Sequence, residues 1–455
     1  MVHPSVLHTT VNPKRSTMKK KTHEILEEIR TLILSENFKT AYRSTNKDFI
    51  RDCLITFPIL ILVILNLMRR SLQSELNNLV KVIYVPIISK QAFSAARKKL
   101  LPEAFIELNK KLIQEFYCDN EFKQFLGYRL IAVDGSTLQL PEGASIRDRY
   151  GACSNKKEGM NMARISHAYD PLNGITLDAI MSAYAVPERT IAFDHILKIP
   201  PSNCAKDLYL FDRGYPSITF IFFLLIHKKD FVMRCSTAWL ALVKHVLESG
   251  KRDVNIEINP WMLSGKKRKE FKIKLPGVCL KSFIKVRVLI IDLSTGEKEI
   301  LITSLLDKNT YPYGIFKELY NLRWGGEENY KFHKVRIEIE NFSGKTPHAI
   351  EQDFHATVFT GNVNALLTEE AEAEEEQTYR GKYKYDYKIN KNISISTLKD
   401  SIIGVLFDPK RDLKVFCEQT KTLMKKSTIP IRPGRKFARI RKSNRKYPTN
   451  RRRSI

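Results

Sequence analysis

Leu319-Tyr320-Asn321-Leu322-Arg323-Trp324-Gly325-Gly326-Glu327-Glu328-Asn329-Tyr330-Lys331-Phe332-His333-Lys334 reads as one helix whose phase gathers its charged residues on one side. At about 100° per residue, with Tyr320 at zero, Arg323 falls at about −60°, Glu327 at about −20°, Lys331 at about +20° and Lys334 at about −40°. A carboxylate held among cations stays ionised at neutral pH because opposite charge favours its charged form. Metal binding at a phosphate requires that state. A solvated i,i+4 ion-pair face has the same pattern, so the choice between the two readings rests on acids elsewhere in the chain.

Two such acids follow apolar runs. Arg129-Leu130-Ile131-Ala132-Val133 leads straight into Asp134-Gly135-Ser136, and Leu208-Tyr209-Leu210-Phe211 into Asp212-Arg213-Gly214-Tyr215, as buried central strands ending in turns would. Between them, residues 163–169 and 175–184 read as a hairpin joined through Asp170-Pro171-Leu172-Asn173-Gly174, whose Pro, Asn and Gly are turn residues. A helix over 188–196, an apolar helix over 217–227 and a strand over 230–234 complete a β-β-β-α-β-α-β order ahead of the charged helix. Asp148, Asp170, Asp178 and Asp194 lack the apolar-strand-then-Gly context. A capping or turn role is the ordinary alternative for Asp134 and Asp212 as well.

Tyr320, Arg323, Glu327 and Lys334 form Y-x(2)-R-x(3)-E-x(6)-K, a spacing that resembles the signature of the DDE transposases of the insertion-sequence-four family. That resemblance implies an α/β fold: a ribonuclease-H-like mixed-sheet catalytic core with a β-rich insertion, preceded by a helical N-terminal domain and followed by a basic tail. It implies that Asp134, Asp212 and Glu327 are the catalytic acids and hold two Mg²⁺ ions, with Mn²⁺ able to substitute. Carboxylate oxygens suit Mg²⁺, and paired ions stabilise attacking and leaving oxygens. Arg323, Lys331 and Lys334 would then hold phosphates, and Tyr320 would meet the DNA backbone beside the cut, with Arg213 and Tyr215 doing likewise. The partners implied are double-stranded DNA, both terminal inverted repeats and target, and a second copy in a synaptic homodimer. The setting implied is the prokaryotic cytoplasm, on the nucleoid. A DNA-binding repressor or inactive remnant on a transposase scaffold is the rival reading. The family carries bulkier residues where this chain has Gly325-Gly326, and each helical glycine costs roughly 1 kcal/mol, so a loosened helix is expected there.

Composition agrees with a nucleic-acid partner. The 455 residues hold 76 Lys+Arg against 49 Asp+Glu, a formal charge of +27, with 43% hydrophobic and 27% charged residues. Such a balance excludes wholesale disorder and calls for a polyanion. The seven cysteines are scattered, with no C-x-x-C, so neither a disulfide framework nor a zinc site is expected. The apolar run 53–68 contains Pro58 and is shorter than the ~20 residues a bilayer requires. It reads as a buried helix in a protein without a membrane partner.

The expected domains are a helical end-binding region over residues 1–118, the catalytic core over 119–368 with its β-rich insertion at about 236–301, an acidic and then Tyr/Lys-rich connector over 369–392, and a C-terminal region over 393–455. In the first, Ser89-Lys90-Gln91-Ala92-Phe93-Ser94-Ala95-Ala96-Arg97-Lys98-Lys99-Leu100 has an N-cap serine and a basic last turn; it reads either as a helix for the major groove or as a basic surface helix. The acidic run 369–376 reads as a solvated helix end. Tyr379, Tyr383, Tyr385 and Tyr387 alternate with Arg380, Lys382, Lys384 and Lys388, either to stack bases or as an edge strand. Residues 432–455 carry eleven Lys/Arg and no acid, an arm that phosphate contact would order.

Overall fold

The structure, a computed structural model, describes residues 20–432 except 52, 67–70, 84–85, 120, 154–158, 238, 294–295, 380–383 and 400. The basic arm beyond residue 432 and part of the Tyr/Lys-rich stretch lie outside the described residues. The described chain opens with helices α1 (Thr22–Leu34), α2 (Glu36–Tyr42), α3 (Phe57–Leu65), α4 (Leu72–Ile83), α5 (Lys90–Arg97) and α6 (Glu103–Phe116). α3 is the apolar run. Pro58 sits in its first turn, where a missing N–H is harmless, Thr56 caps it, and it is buried almost throughout. Among the described residues no helix is long and apolar enough to cross a membrane. α5 begins at the Ser89 cap, whose hydroxyl accepts from Ala92 N at 3.1 Å. Its Arg97 turns inward, however, donating to Ala349 O at 2.7 Å and pairing with Asp353 at 2.6 Å. That cation is used in packing, and the face left open shows Lys98 and Lys99 instead.

The sheet follows. Its first part runs β1 (Tyr128–Gln139), α7 (Ala144–Tyr150), β2 (Ala152–Cys153), β3 (Met160–Asp170), β4 (Ile175–Ala183), α8 (Glu188–Lys198), β5 (Lys206–Phe211), α9 (Ile218–Ile226) and β6 (Asp230–Cys235). α10 (Ala241–Glu248), β7 (Asp253–Ile258), α11 (Gly265–Lys274), β8 (Ile284–Asp292) and β9 (Lys298–Thr303) come next. The nine strands lie in the order β2-β3-β1-β5-β6-β9-β8-β7, with β4 also on β3. β1, β5 and β6 are parallel neighbours and the remaining pairings are antiparallel. The segment read as an insertion therefore extends the central sheet: β9 pairs with β6, Val232 against Thr303.

Strand periodicity divides the two faces. Ile131, Val133, Tyr209 and Phe211 enter a large core with α9 and the N-terminal helices. Leu130, Ala132, Leu208 and Leu210 face the other way, against Phe316, Leu319 and Tyr320 of α12 (Ile315–Asn321). α13 (Trp324–Lys331) continues from it, and α14 (Pro347–Tyr379) crosses back to the N-terminal helices. α14 continues through the acidic run 369–376, which is not a solvated end. Glu370 accepts from Thr22 and meets Lys421, Glu374 meets Lys421 and Lys425, and Glu369 meets Lys123. Three short helices and a small hairpin complete the described chain: α15 (Lys391–Leu398), α16 (Ser401–Phe407), α17 (Leu413–Lys425), and β10 (Tyr387–Ile389) paired with β11 (Thr428–Pro430).

One buried ion pair fixes how β1 lies on β5. Arg129 and Asp207 are direct register partners, their charged atoms are 2.7 Å apart, and each side chain is 2% exposed. Arg129 also donates to Pro200 O at 2.9 Å, and Lys229 meets Asp207 at 2.7 Å. Removing one member leaves a buried charge uncompensated, which costs about 3–5 kcal/mol, whereas replacing both with apolar groups is often neutral. Asp207→Ala is therefore expected to lower the denaturation midpoint severely and Arg129→Met/Asp207→Leu to restore most of it, measured by urea unfolding followed by circular dichroism.

Candidate functional site

The β1–β5 register brings the two strand-end aspartates together. The last parallel partners are Val133 and Phe211, so Asp134 and Asp212 are the next residues of adjacent strands, roughly 4.8 Å apart in the pairing direction. Alternation puts both on the face of Ala132 and Leu210, under α12 and α13. β1 does not end at Asp134 as the turn-like Asp-Gly-Ser suggested; it runs on to Gln139, paired with β3 alone. Asp212 does sit in a tight turn, where its Oδ1 accepts from Gly214 N at 2.8 Å. Ser217 then caps α9, accepting from Phe220 N at 3.1 Å.

The third acid arrives from a helix that is not continuous. α12 stops at Asn321. Arg323 N, Gly325 N and Gly326 N bond to the carbonyls of Tyr320, Leu322 and Arg323, a tight i−3 joint, before α13 resumes α-helical bonding. Beyond α13, Phe332–Arg336 form a π turn. The two glycines lie where α13 presses on the sheet. A Cβ at Gly325 would lie 2.8 Å from Pro171 Cβ, and one at Gly326 would lie 3.8 Å from Asp134 Cβ. Gly325 thus serves close approach to Pro171, and the glycine pair lies at the joint where the helix is interrupted.

Arg323 stands among the acids. It is 5% exposed, its Nη2 bonds Glu327 Oε1 at 3.0 Å, and its Nη1 is 3.9 Å from Asp134 Oδ2. The guanidinium also lies 4.9 Å from the ring centroid of the exposed Trp324 and 5.7 Å from that of Tyr320. Glu328 points elsewhere, pairing with Lys331 on the surface. Lys331, expected within the stripe, is therefore turned to its neighbour. The π turn takes Lys334 to the edge of β1, where it donates to Ser136 Oγ at 2.8 Å and Thr137 O at 2.6 Å. Burial lowers its pKa.

Tyr320 and Tyr215, expected at the DNA backbone, are both buried in this geometry. Each ring is 1% exposed, Tyr320 because it fills the sheet face under α12 and Tyr215 because it packs on Phe211 at 5.1 Å. Burial pushes both hydroxyls up, and both feel the charges of Asp212 and Arg323. Arg213 is exposed beside Asp212. Sequence reading missed a fourth carboxylate, Glu188, the first residue of α8. It pairs with Arg164 at 2.7 Å and covers Gly135, where a Cβ would lie 2.3 Å from its Cδ. Nothing in the local sequence signals that contact. A legible signal did exist for α11, whose Lys266, Lys267, Lys269, Lys272 and Lys274 are exposed.

Three carboxylates against one guanidinium leave negative charge in excess. Burial is the largest influence on Asp134; Arg323 and the Gly135 N–H oppose it, Asp212 and Glu327 reinforce it, and the carboxyl rises to about 7. Arg323 Nε, Tyr215 OH and Tyr320 OH are buried without a hydrogen-bond partner. Among the described residues no three His, Cys, Asp or Glu are grouped as ligands of one ion, and Arg323 takes up the space between Asp134 and Glu327. In donor chemistry and charge, hard carboxylate oxygens with an unmet negative excess fit Mg²⁺ or Mn²⁺.

A family model described as a transposase DDE domain matches residues 126–362, just over half of the 455-residue chain. No curated protein matches it. Among solved structures, a cryo-EM piggyBac transposase synaptic complex with hairpin DNA aligns at 11% identity and a TM-score of 0.45, covering 91% of this chain and 87% of that one.

Two measurements check this geometry. Gly325→Ala must displace the Pro171 ring and is expected to lose about 1–3 kcal/mol from overpacking, while Gly326→Ala meets only ordinary contacts and is expected to gain up to about 1 kcal/mol of helix propensity; thermal melting ranks the two. For Asp134 the folded pKa lies above the unfolded one. Its protonation therefore stabilises the fold fully below about pH 4, and that contribution is lost as pH rises through 7. In metal-free buffer at pH 8, Asp134→Asn is expected to melt above wild type, by at most about 4 kcal/mol for a shift of this size. The gap closes as pH falls to about 4; a gap that widens on acidification reverses the sign and rejects the burial argument.

Proposed function

Because the chain belongs to the family of transposases with a DDE domain, we propose that it is a DDE transposase of the insertion-sequence-four type, which binds the inverted-repeat ends of its element and catalyses DNA cleavage and strand transfer. The observation that carries the reading is the meeting of Asp134 and Asp212 at the end of the β1–β5 register, under the helix that bears Glu327. Asp134, Asp212 and Glu327 would hold two Mg²⁺ ions, or Mn²⁺ in their place. Divalent ions supply charge neutralisation at the scissile phosphate and at the attacking and leaving oxygens.

The chain's own residues supply the rest. Arg323 has a bidentate fork suited to phosphate, and its bond to Glu327 holds that carboxylate toward Asp134. Lys334, Lys331 and Arg213 offer further phosphate contacts, and the exposed cations of α11 add attraction that is independent of sequence. Tyr320 and Tyr215 serve from beneath, packing the floor on which the acids stand. End recognition falls to the helical region over residues 1–118, while the basic residues 432–455 add phosphate contacts that are independent of sequence. Cut-and-paste chemistry at two ends requires a homodimer, acting on the nucleoid in a prokaryotic cytoplasm.

The test is Mg²⁺-dependent nicking of DNA that carries the sequences flanking the gene. Asp134→Asn, Asp212→Asn and Glu327→Gln are each expected to lose nicking with end binding kept, because phosphate contacts elsewhere survive the loss of a carboxylate. Glu328→Gln, an exposed pair partner, is expected to cut normally and to move stability by no more than about 0.5 kcal/mol. Wild-type protein that binds the ends tightly and never nicks them would instead make this chain a DNA-binding remnant.

A further inference from the structure

Behind Asp134, on the side of its backbone carbonyl, lies a chain of buried polar groups. Asp178 Oδ2 is 2.7 Å from His195 Nδ1, and His195 Nε2 is 2.9 Å from Ser166 Oγ. The Ser166 hydroxyl donates to the Asp134 backbone carbonyl at 3.2 Å. Three secondary-structure elements contribute. Asp178 is on β4, His195 on the last turn of α8, and Ser166 on β3, where it is the register partner of Gly135.

The order Asp, His, Ser has the spacing of a hydrolase triad, but it is not one. Ser166 and His195 are both 0% exposed, so no carbonyl substrate can reach the hydroxyl, and the serine proton is committed to another acceptor. Donor counting gives the direction. A serine hydroxyl has one proton, and the Asp134 carbonyl can only accept, so Ser166 donates there and accepts from His195. With Asp178 accepting at Nδ1, that direction belongs to the doubly protonated imidazole, paired with the Asp178 carboxylate. Burial pushes the Asp178 carboxyl up, but His195 outweighs it and holds the group below the usual range, which keeps it an acceptor. A neutral imidazole that kept its Nδ1–H on Asp178 would present Nε2 as an acceptor and draw the serine proton away from Asp134; the Asp178 carboxylate counters this by favouring the charged imidazole.

The same carbonyl has a second donor. Tyr330 OH donates to it at 2.7 Å and accepts from His167 N at 2.9 Å, while Gly135 N donates to Asp134 Oδ1 at 3.0 Å. The peptide that carries the Asp134 side chain is thus gripped on its carbonyl from two elements.

We propose that Asp178, His195 and Ser166 are positioning residues, a buried relay that fixes the Asp134 carbonyl and so aims its carboxylate at the space it shares with Asp212 and Glu327. The proposal rests on the reading of those acids as cation ligands. Residues that orient ligands from behind typically change metal affinity or activity 10–100-fold when removed.

The experiment measures Mn²⁺ binding to DNA-free protein by electron paramagnetic resonance, with melting temperature, end-DNA affinity and nicking rate followed in parallel. Ser166→Ala and His195→Gln are each expected to weaken Mn²⁺ binding about tenfold or more, with end-DNA affinity unchanged. Asp178→Asn/His195→Gln rebuilds the donor direction without charge, since Asn donates to the Gln oxygen and the Gln amide donates to Ser166. It is expected to recover most of the Mn²⁺ affinity lost by His195→Gln. Ile131→Val, a core change in β1 outside the relay, controls for general destabilisation and is expected to keep wild-type Mn²⁺ affinity. Wild-type Mn²⁺ affinity in Ser166→Ala, or equal loss in Ile131→Val, overturns the relay. Wild-type protein that takes up no Mn²⁺ overturns the reading of the acids, and the relay with it.

Discussion

The site depends on the register of β1 against β5. A parallel pair that slipped by one residue would turn one aspartate to the opposite face of the sheet, and the two acids would then lie on different sides of a layer of side chains. Arg129 and Asp207 sit five positions before Asp134 and Asp212 respectively and pair with each other in the core. An apolar pair could contribute as much stability, but it would not reject a slipped alignment. A charged pair does, because displacement leaves both charges buried and unmatched. The ion pair at one end of the strands thus specifies the geometry of the acids at the other.

Alternation carries the argument from register to site. Leu130, Ala132 and Asp134 share a face, as do Leu208, Leu210 and Asp212, and the apolar members of that face are covered by Phe316, Leu319 and Tyr320. The same packing that buries the sheet therefore brings the next helix over the acids. Gly325 sets how near it comes, and Arg323, at the joint between α12 and α13, is carried into the space between Asp134 and Glu327.

How much of this was legible follows from range. The apolar runs before Asp134 and Asp212 are local patterns, as are the turn residues 170–174 and the Ser89 cap, and each reappears in the structure. That Glu327 rather than Glu328 lies beside Arg323 was legible too, because four residues of helix separate Arg323 from Glu327 and the break lies at the start of that interval. The fate of Lys334 was not. A uniform 100° step cannot see the π turn over Phe332–Arg336, where one extra residue per turn rotates everything beyond it. Burial of Tyr320 and Tyr215 depends on which sheet face α12 covers, and the ion pairs of Glu370 and Glu374 depend on α1 and α17, remote in sequence. Ser166, His195 and Asp178 carry no shared motif. Only the pairing of β3 with β1 and β4, and the packing of α8 on them, lines the three up.

The charge balance explains why the acids need so much structure around them. Asp134, Asp212 and Glu327 face one internal guanidinium, and burial raises Asp134 to about 7, so at neutral pH the fold holds a carboxyl that would rather be protonated. Nothing about stability asks for such an arrangement. An apolar residue at Asp134 would complete the face begun by Leu130 and Ala132. A fold that keeps the acid must hold it by other means, and the two hydroxyls on its carbonyl, the Gly135 N–H on its carboxylate and the nearby Arg323 do so from four directions. Protonation of Asp134 or a bound cation would offset the excess negative charge, which would otherwise repel a bare phosphate. On the proposed function, DNA binding and cation binding would therefore be coupled at this site by charge.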